Sequence, residues 1–306
     1  MDMTSEHLRV TTLKAAHPDN CPDRFSVAVS RRTTADFSGS QILFGETQNH
    51  QEVVLKATVY KNGLDREWQA LQTLVAHPLA VQQPIAVVRD EQGTEFLMTE
   101  WLKGTPLLHN DTEQLRHQVG QTVKHIHTQV PIAGSDWTSQ PKAPFYERYL
   151  EYWHDHQVPH LEPDSRPIAL LDTLAGPFIH HLAEVQPSFT HQDLHDGQVI
   201  VTDQGPTLLD FEWWREDDPL VDLAMYLFHT LRMVQPLTYV KELFRGYQAD
   251  QMSDQQSQYL AFYLIFIAGR AVANFRQIKS PYLSIAEQNL QTMTAFVDQE
   301  RPWRHL

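Results

Sequence analysis

The first hundred residues read as strands with one helix, and the remainder reads mostly as helices. β-like runs fall over 25–30, 42–47 and 52–60, the last two joined by the polar turn Gln48-Asn49-His50-Gln51. Asn62-Gly63 breaks the pattern, and Leu64, Trp68, Leu71, Leu74 and Val75 then repeat at helical spacing. His77-Pro78 ends that helix. Two further strands are expected over 85–89 and 95–100, about a turn at Glu91-Gln92-Gly93. Past Lys103-Gly104-Thr105-Pro106, an amphipathic helix is marked by Leu115, Val119, Val123 and Ile126, and others are expected over 172–185, 219–234 and 257–275. The aromatic and acidic stretch 146–156 also reads as helical. Short strands over 199–201 and 207–209 flank a turn at Asp203-Gln204-Gly205.

Strands first and helices later predict an α+β chain, with a small sheet lobe hinged to a larger helical lobe. The expected domains are 1–100 and 101–306, with the hinge near Trp101 to Gly104. Of the 306 residues, 42% are hydrophobic and 20% charged, enough for a packed core and against a disordered or disulfide-knot chain. The 24 Lys+Arg against 38 Asp+Glu leave a net charge of −14, which argues against broad nucleic-acid binding. That balance suits a cationic partner, or an anion held through metal ions. Cys21 is the single cysteine and points to a reducing compartment. The opening Met1-Asp-Met-Thr-Ser-Glu6 has acids where a signal peptide has bases. The longest apolar run, 259–269, is shorter than the ~20 residues a bilayer needs. A soluble, cytoplasmic protein without membrane insertion is the expectation.

The most informative segment is Phe189-Thr-His-Gln-Asp-Leu-His-Asp-Gly-Gln-Val-Ile-Val201, followed by Leu208-Leu-Asp-Phe-Glu-Trp-Trp214 and Asp217-Asp-Pro-Leu-Val-Asp-Leu-Ala224. It sets a His-x-Asp loop, an amide residue five positions after that Asp, a short hairpin and a strand ending in Asp-Phe. Phosphoryl transfer needs in-line positioning and charge neutralisation more than covalent help. Asp193 is placed to receive or orient an acceptor hydroxyl, and Gln198 and Asp210 offer oxygens to Mg²⁺.

In this order of residues the chain resembles the aminoglycoside phosphotransferase / choline kinase superfamily, small-molecule kinases of the protein-kinase-like fold. The matching positions are His191, Asp193, Leu194, His195, Asp210, Phe211, Glu212, Asp218, Pro219, Asp222, Leu223 and Ala224. The Phe-Glu after Asp210 resembles the choline and thiamine kinase side, and 95–107 resembles the family's hinge. The resemblance implies a bilobal fold and ATP and Mg as cofactors. It implies that Lys56 contacts the α/β-phosphates with Glu67 as its carboxylate partner. It also implies that the backbone of Glu100, Trp101 and Leu102 holds adenine, and that Ser38, Gly39 and Ser40 cover the phosphates. The acceptor is a small hydroxyl compound, and a cationic one is favoured by the chain's acidity and by its aromatic, acidic stretches: Tyr146, Tyr149, Tyr152 and Trp153, and Trp213-Trp214 before Glu216, Asp217 and Asp218.

Three features depart from the family pattern. Gln198 stands where the metal-binding Asn is usual, Gln192 where Gly follows the first His, and the phosphate loop holds only Gly39. They keep a second reading open, a pseudokinase-like nucleotide-binding or interaction module with little turnover. A metal-hydrolase cluster of His191, Asp193, His195 and Asp196 is a third. Asp222 is expected to accept backbone N–H bonds that brace the catalytic loop. Glu212 is either a third metal-side carboxylate or a solvated one.

Overall fold

The computed structural model describes residues 9–15, 24–34, 40–60, 62–110, 112–131, 149, 151–249 and 252–299. The chain divides into two compact units, Met1–His109 with Gln198–Trp214, and Asn110–Gly197 with Arg215–Leu306.

The first unit is built on six antiparallel strands: β1 (Arg9–Ala15), β2 (Arg24–Thr34), β3 (Gln41–Thr47), β4 (Glu52–Ala57), β5 (Pro84–Arg89) and β6 (Glu95–Glu100). Their order β1-β2-β3-β4-β6-β5 closes into a barrel, because Lys14 and Ala15 of β1 pair with Arg89 and Val88 of β5. β1 is the strand of this barrel missing from the expected elements, and its pairing with β5 closes the sheet. Leu13, Val27, Val53, Leu55, Val88 and Met98 fill the core. Each buried aliphatic side chain of this size stabilises by ~1.5–3 kcal/mol. Side chains alternate across a strand, so Val53 and Leu55 of β4 face that core and Val54 and Lys56 face the other side.

Helix α1 (Gly63–Val75) follows β4 and buries Leu64, Glu67, Ala70, Leu71 and Leu74. A three-stranded sheet completes the unit. Thr105–Pro106 pairs with Val199–Thr202, which pairs with Gly205–Leu208, and Val81 bridges Leu208. These pairings draw Gln198–Trp214 into the first unit although it lies far along the chain from Thr105.

The second unit is helical: α2 (Glu113–Gln129), α3 (Arg166–Glu184), α4 (Leu220–Arg232), α5 (Leu237–Tyr247), α6 (Asp254–Gln277) and α7 (Leu283–Asp298). Neither α5 nor α7 is among the expected elements, yet Val240, Leu243, Phe244 and Tyr247, and Ala286, Leu290, Met293 and Phe296, carry the spacing. Helices α2 and α5 touch backbone to backbone. A Cβ at Gly120 would lie 2.1 Å from the Leu243 carbonyl oxygen, and one at Gly246 only 1.9 Å from that of His117. Helix α6 starts at a reciprocal capping box between Ser253 and Gln256. By length and composition it is apolar enough to cross a membrane, but 72% of that window is buried inside the fold, as in a central core helix.

The aromatic stretch expected to be an ordinary helix forms a π-helix over Tyr152–Gln157 that packs on α6. Gly269 permits the contact, since a Cβ there would stand 2.7 Å from Gln157 Oε1. Tyr146 and Glu147 lie outside the described residues. Two short strands, Ser188–Thr190 and Arg215–Asp217, pair antiparallel and flank the loop that carries Asp193.

Candidate active site

In the first unit, four predicted residues come together. Lys56 extends from β4 to Glu67 Oε2 of α1 at 2.9 Å, and it also pairs with Asp210. Gln198 donates its amide N–H to Asp210 Oδ2 at 3.1 Å. Asp210 takes a left-handed backbone (φ 63°), which turns the chain out of the hairpin as the preceding Leu209 N–H bonds to the Gln198 carbonyl. Glu212, left open between metal-side and solvated, is 3% exposed with Oε2 3.2 Å from Lys56 Nζ. Trp213 and Trp214 hold this arrangement against α1. Trp213 meets Tyr60 edge-on at 4.7 Å and lies under the Arg66 guanidinium, and Trp214 Nε1 donates to the Arg66 carbonyl at 2.6 Å.

Burial works against the charge on Lys56, but Glu67, Asp210 and Glu212 together outweigh it and keep the ammonium protonated. Burial lifts Glu67 to about 7 despite Lys56, with Asp210 and Glu212 adding to the rise. Burial likewise raises Glu212. Three carboxylates against one ammonium leave two negative charges in excess when all are ionised (3 − 1). Carboxylate oxygens of Glu67, Asp210 and Glu212 lie within 4.8 Å of one another. An oxygen-only donor set with surplus negative charge fits a hard divalent cation.

The remaining nucleotide-side residues are more varied. Ser40 is buried, with its hydroxyl 3.5 Å from Thr58 Oγ1, while Ser38 and Gly39 lie outside the described residues. The Glu100 N–H bonds to the Gln83 carbonyl and the Trp101 N–H to that of Glu52. The Glu100 carbonyl accepts from Gln82, so Leu102 is the hinge residue whose N–H is not committed to these sheet bonds. Trp101 tilts against Phe44 at 5.0 Å and forms one wall of an open cavity of about 530 Å³. Ser26, Ala28, Glu46 and Glu52 also line it. Glu52 and Lys56 share a face of β4 by the two-residue alternation.

In the second unit, Asp193 sits on a loop held at several points. Asp222 accepts the His191 N–H at 2.7 Å and the Gln192 N–H at 2.8 Å, and it pairs with His127 at 3.0 Å; this is the bracing role expected of it. Gln192 occupies the position where the family has glycine and takes a left-handed backbone (φ 69°). Such a conformation costs a non-glycine residue ~1–2 kcal/mol. Its side-chain bonds to Thr190 Oγ1 at 2.8 Å and Asp217 Oδ2 at 3.2 Å offset that cost. Below the loop, Asp196 is buried between Arg116 (2.8 Å) and the Tyr226 hydroxyl (2.6 Å). That removes Asp196 from any metal cluster.

The residue that sequence reasoning missed is His229 of α4, whose Nε2 lies 3.5 Å from Asp193 Oδ1. His195 Nε2 lies 4.0 Å from Asp193 Oδ2. Burial opposes the Asp193 charge, but His229, His195 and His191 prevail and hold its carboxyl down at about 2. Burial lowers His195 to about 4 and lowers His229 too, so both rings are neutral near pH 7. Asp193, His195 and His229 bring their ligand atoms within 4.8 Å, the spacing of a metal triad. The tautomer argues otherwise. His195 Nδ1 accepts the Gly197 N–H at 3.0 Å, so the ring proton sits on Nε2, where a metal needs a lone pair.

The fold is shared with solved kinases of small molecules. An amicoumacin kinase in complex with AMP-PNP, Ca²⁺ and amicoumacin superposes with a TM-score of 0.59 at 14% identity, covering 95% of this chain and 91% of that one. A thermostable mutant of aminoglycoside phosphotransferase APH(4)-Ia, in a ternary complex with AMP-PNP and hygromycin B, gives 0.66 at 12% identity, covering 89% and 94%. The GDP and kanamycin complex of APH(2″)-IIIa gives 0.64 at 12%, covering 87% and 92%. Fold and site together point to a phosphotransferase. The phosphotransferase enzyme family model (APH) matches residues 31–259, and the chain belongs to that family. No curated protein matches it in sequence.

Proposed function

We propose that this phosphotransferase moves the γ-phosphoryl group of ATP, with Mg²⁺, to a hydroxyl of a small polar molecule. The observation that carries the reading is the Lys56 cluster. An ammonium pinned by buried Glu67 is a fixed phosphate contact, and the excess carboxylate charge calls for a divalent cation. Asp210, Gln198 and Glu212 would hold that cation, which supplies neutralisation of the phosphate oxygens. The base is assigned to the cavity beside Trp101, hydrogen-bonded at Leu102. Ser38, Gly39 and the backbone of Ser40 are assigned to the phosphates.

The acceptor oxygen attacks the γ-phosphorus, the bond from that phosphorus to the β–γ bridging oxygen breaks, and ADP leaves with the electron pair. The hydroxyl proton passes to the Asp193 carboxylate. A carboxylate held at about 2 is a weak base. A loose transition state demands little proton removal until late, so Asp193 acts first by orienting the hydroxyl. The acceptor is expected among polar metabolites or among antibiotics of the kinds the structural neighbours hold. The features that favoured a cationic one are engaged otherwise. Tyr149 and Trp153 are core residues, Trp213 and Trp214 pack on α1, Asp217 is bound by Arg215 and Tyr149, and Asp218 by His181 and Tyr263.

Mg²⁺-dependent ADP release with a panel of hydroxyl acceptors tests the proposal. A phosphorylated product supports it. Tight, metal-independent ATP binding with no product from any acceptor replaces it with the low-turnover module.

A further inference from the structure

Within the second unit, Gln192 is gripped from two sides. Its backbone N–H donates to Asp222 Oδ1 at 2.8 Å, so the first turn of α4 holds the main chain. Its side-chain amide reaches elsewhere and donates to Thr190 Oγ1 at 2.8 Å and to Asp217 Oδ2 at 3.2 Å. Both oxygens belong to the paired strands Ser188–Thr190 and Arg215–Asp217, where Thr190 lies opposite Arg215 and its hydroxyl donates to the Arg215 carbonyl at 2.7 Å. Asp217 is wholly buried. Its Oδ2 also accepts from the Tyr149 hydroxyl and from Arg215 Nε, each at 2.8 Å, and its Oδ1 takes the Asp218 N–H at 2.8 Å. Arg215 donates in turn to the Tyr149 hydroxyl at 3.1 Å, so the two side chains brace each other on one carboxylate. The Tyr149 ring is held edge-on by Phe266 at 5.1 Å and Phe178 at 6.0 Å. A buried carboxylate with charge-assisted bonds is a stiff anchor. Hydrogen bonds of 3.2 Å or less therefore run from Tyr149 through Asp217 to Gln192, the residue before Asp193. The left-handed backbone at Gln192 does not itself call for glutamine. Glycine adopts it without cost and needs no side-chain bond to offset one.

We propose that Gln192 is a positioning residue of the reaction: its amide ties the peptide that carries Asp193 to the hub of Tyr149, Arg215 and Asp217, and so fixes the direction in which the Asp193 carboxylate meets the acceptor hydroxyl. With its main chain on Asp222 and its side chain on Asp217, the residue cannot turn without breaking a bond on one side. A misdirected carboxylate costs turnover rather than nucleotide binding, because small displacements of a reacting group lower the rate. The inference rests on the phosphotransferase reading of Asp193 and adds the residue that aims it.

Gln192→Gly tests this, since it keeps the left-handed turn and removes only the amide tether. ADP release from ATP and Mg²⁺ is followed with water as the slow acceptor and with the panel alcohol that gives the highest rate. In the variant kcat should fall by about tenfold to a hundredfold while KM for ATP holds. Tyr149→Phe loosens the hub from its far side and should lower kcat by about twofold to tenfold, the range of one net hydrogen bond. Added to Gln192→Gly it should lower kcat no further, because the tether through which it acts is gone. Amide hydrogen exchange over residues 189–194 reads the same coupling without turnover. Exchange there should quicken in each single variant, and the double variant should match Gln192→Gly. Parental kcat in Gln192→Gly would overturn the proposal. So would single losses that multiply in the double variant, the signature of two independent structural effects. No turnover in the parent from any acceptor, with the exchange pattern as expected, would remove the kinase reading and keep the tether. Unchanged exchange in Gln192→Gly would remove the tether itself.

Discussion

Gln198 donates its side-chain N–H to Asp210 Oδ2 at 3.1 Å, so the residue standing in place of the usual Asn is seated beside the other proposed metal ligand despite its extra methylene. An amide that turns its oxygen toward a cation from this position keeps the donor set complete. Gln198→Asn is expected to stay within a few-fold of the parent in the Mg²⁺ concentration giving half-maximal ADP release. Gln198→Ala should raise it by about 10–100-fold, the usual penalty for a lost metal-site partner. An unchanged Mg²⁺ titration in Gln198→Ala would remove Gln198 from the metal.

Asp193→Asn retains the shape of the side chain and removes its charge. Turnover should fall by ~10²–10⁴, the range for a positioned acid–base group, with ATP affinity unchanged by calorimetry. A variant turning over at the parental rate would exclude Asp193 from the acceptor hydroxyl.

The pH dependence separates two carboxylates. Asp193, held at about 2, is ionised throughout the physiological range and adds no acid limb there. Glu67, lifted from 4.5 to about 7, does titrate there. Between those two values the folded chain binds more protons than the unfolded chain. Glu67's stabilising contribution is therefore full below pH 4.5 and declines as pH rises through about 7. In Glu67→Gln, melting temperature should lose that part of its pH slope, and the acid limb of kcat/KM near pH 7 should disappear along with much of the activity. A wild-type profile already flat from about pH 5 to 8 would contradict the assignment.

Beneath the catalytic loop, Arg116 and Asp196 form a buried pair at 2.8 Å, with Tyr226 on the second carboxylate oxygen and the Tyr239 ring 3.4 Å from the guanidinium carbon. Asp196→Ala strands a buried cation and should destabilise by ~3–5 kcal/mol in urea denaturation. Turnover per folded molecule at low temperature should fall less than in Asp193→Asn.

Helix packing offers a separate stability test. Gly120→Ala inserts a methyl 2.1 Å from the Leu243 carbonyl oxygen, forcing α2 and α5 apart. A loss of ~1–3 kcal/mol is expected from overpacking. An alanine variant as stable as the parent would mean that the two helices separate without penalty.

The signals legible in sequence were local. Local pattern marked the strand and the helix that carry Lys56 and Glu67, while the two residues themselves were named by the resemblance to the family. The hairpin about Asp203-Gln204-Gly205 brought Gln198 and Asp210 within reach of each other. Strand β1 was harder to read because some of its partners lie far along the chain in β5. Helices α5 and α7 carried the right spacing but were masked by polar residues and by Pro236 and Pro281 at their starts. His229 gave no motif at all, since an interior histidine on an apolar helix looks like core.

By itself the sequence determined the residue types the chemistry needs and the strands and turns that carry them, because alternation and breakers act over a few residues. Which charges end up compensated was decided only by the tertiary structure. Asp196, Asp217 and Asp218 look as available in sequence as Asp193, yet distant Arg116, Tyr149 and His181 neutralise or hydrogen-bond them. Burial makes each such pairing obligatory, since an unpaired charge away from water is costly. What stays uncompensated, the surplus carboxylates about Lys56, follows from contacts between residues far apart in the chain.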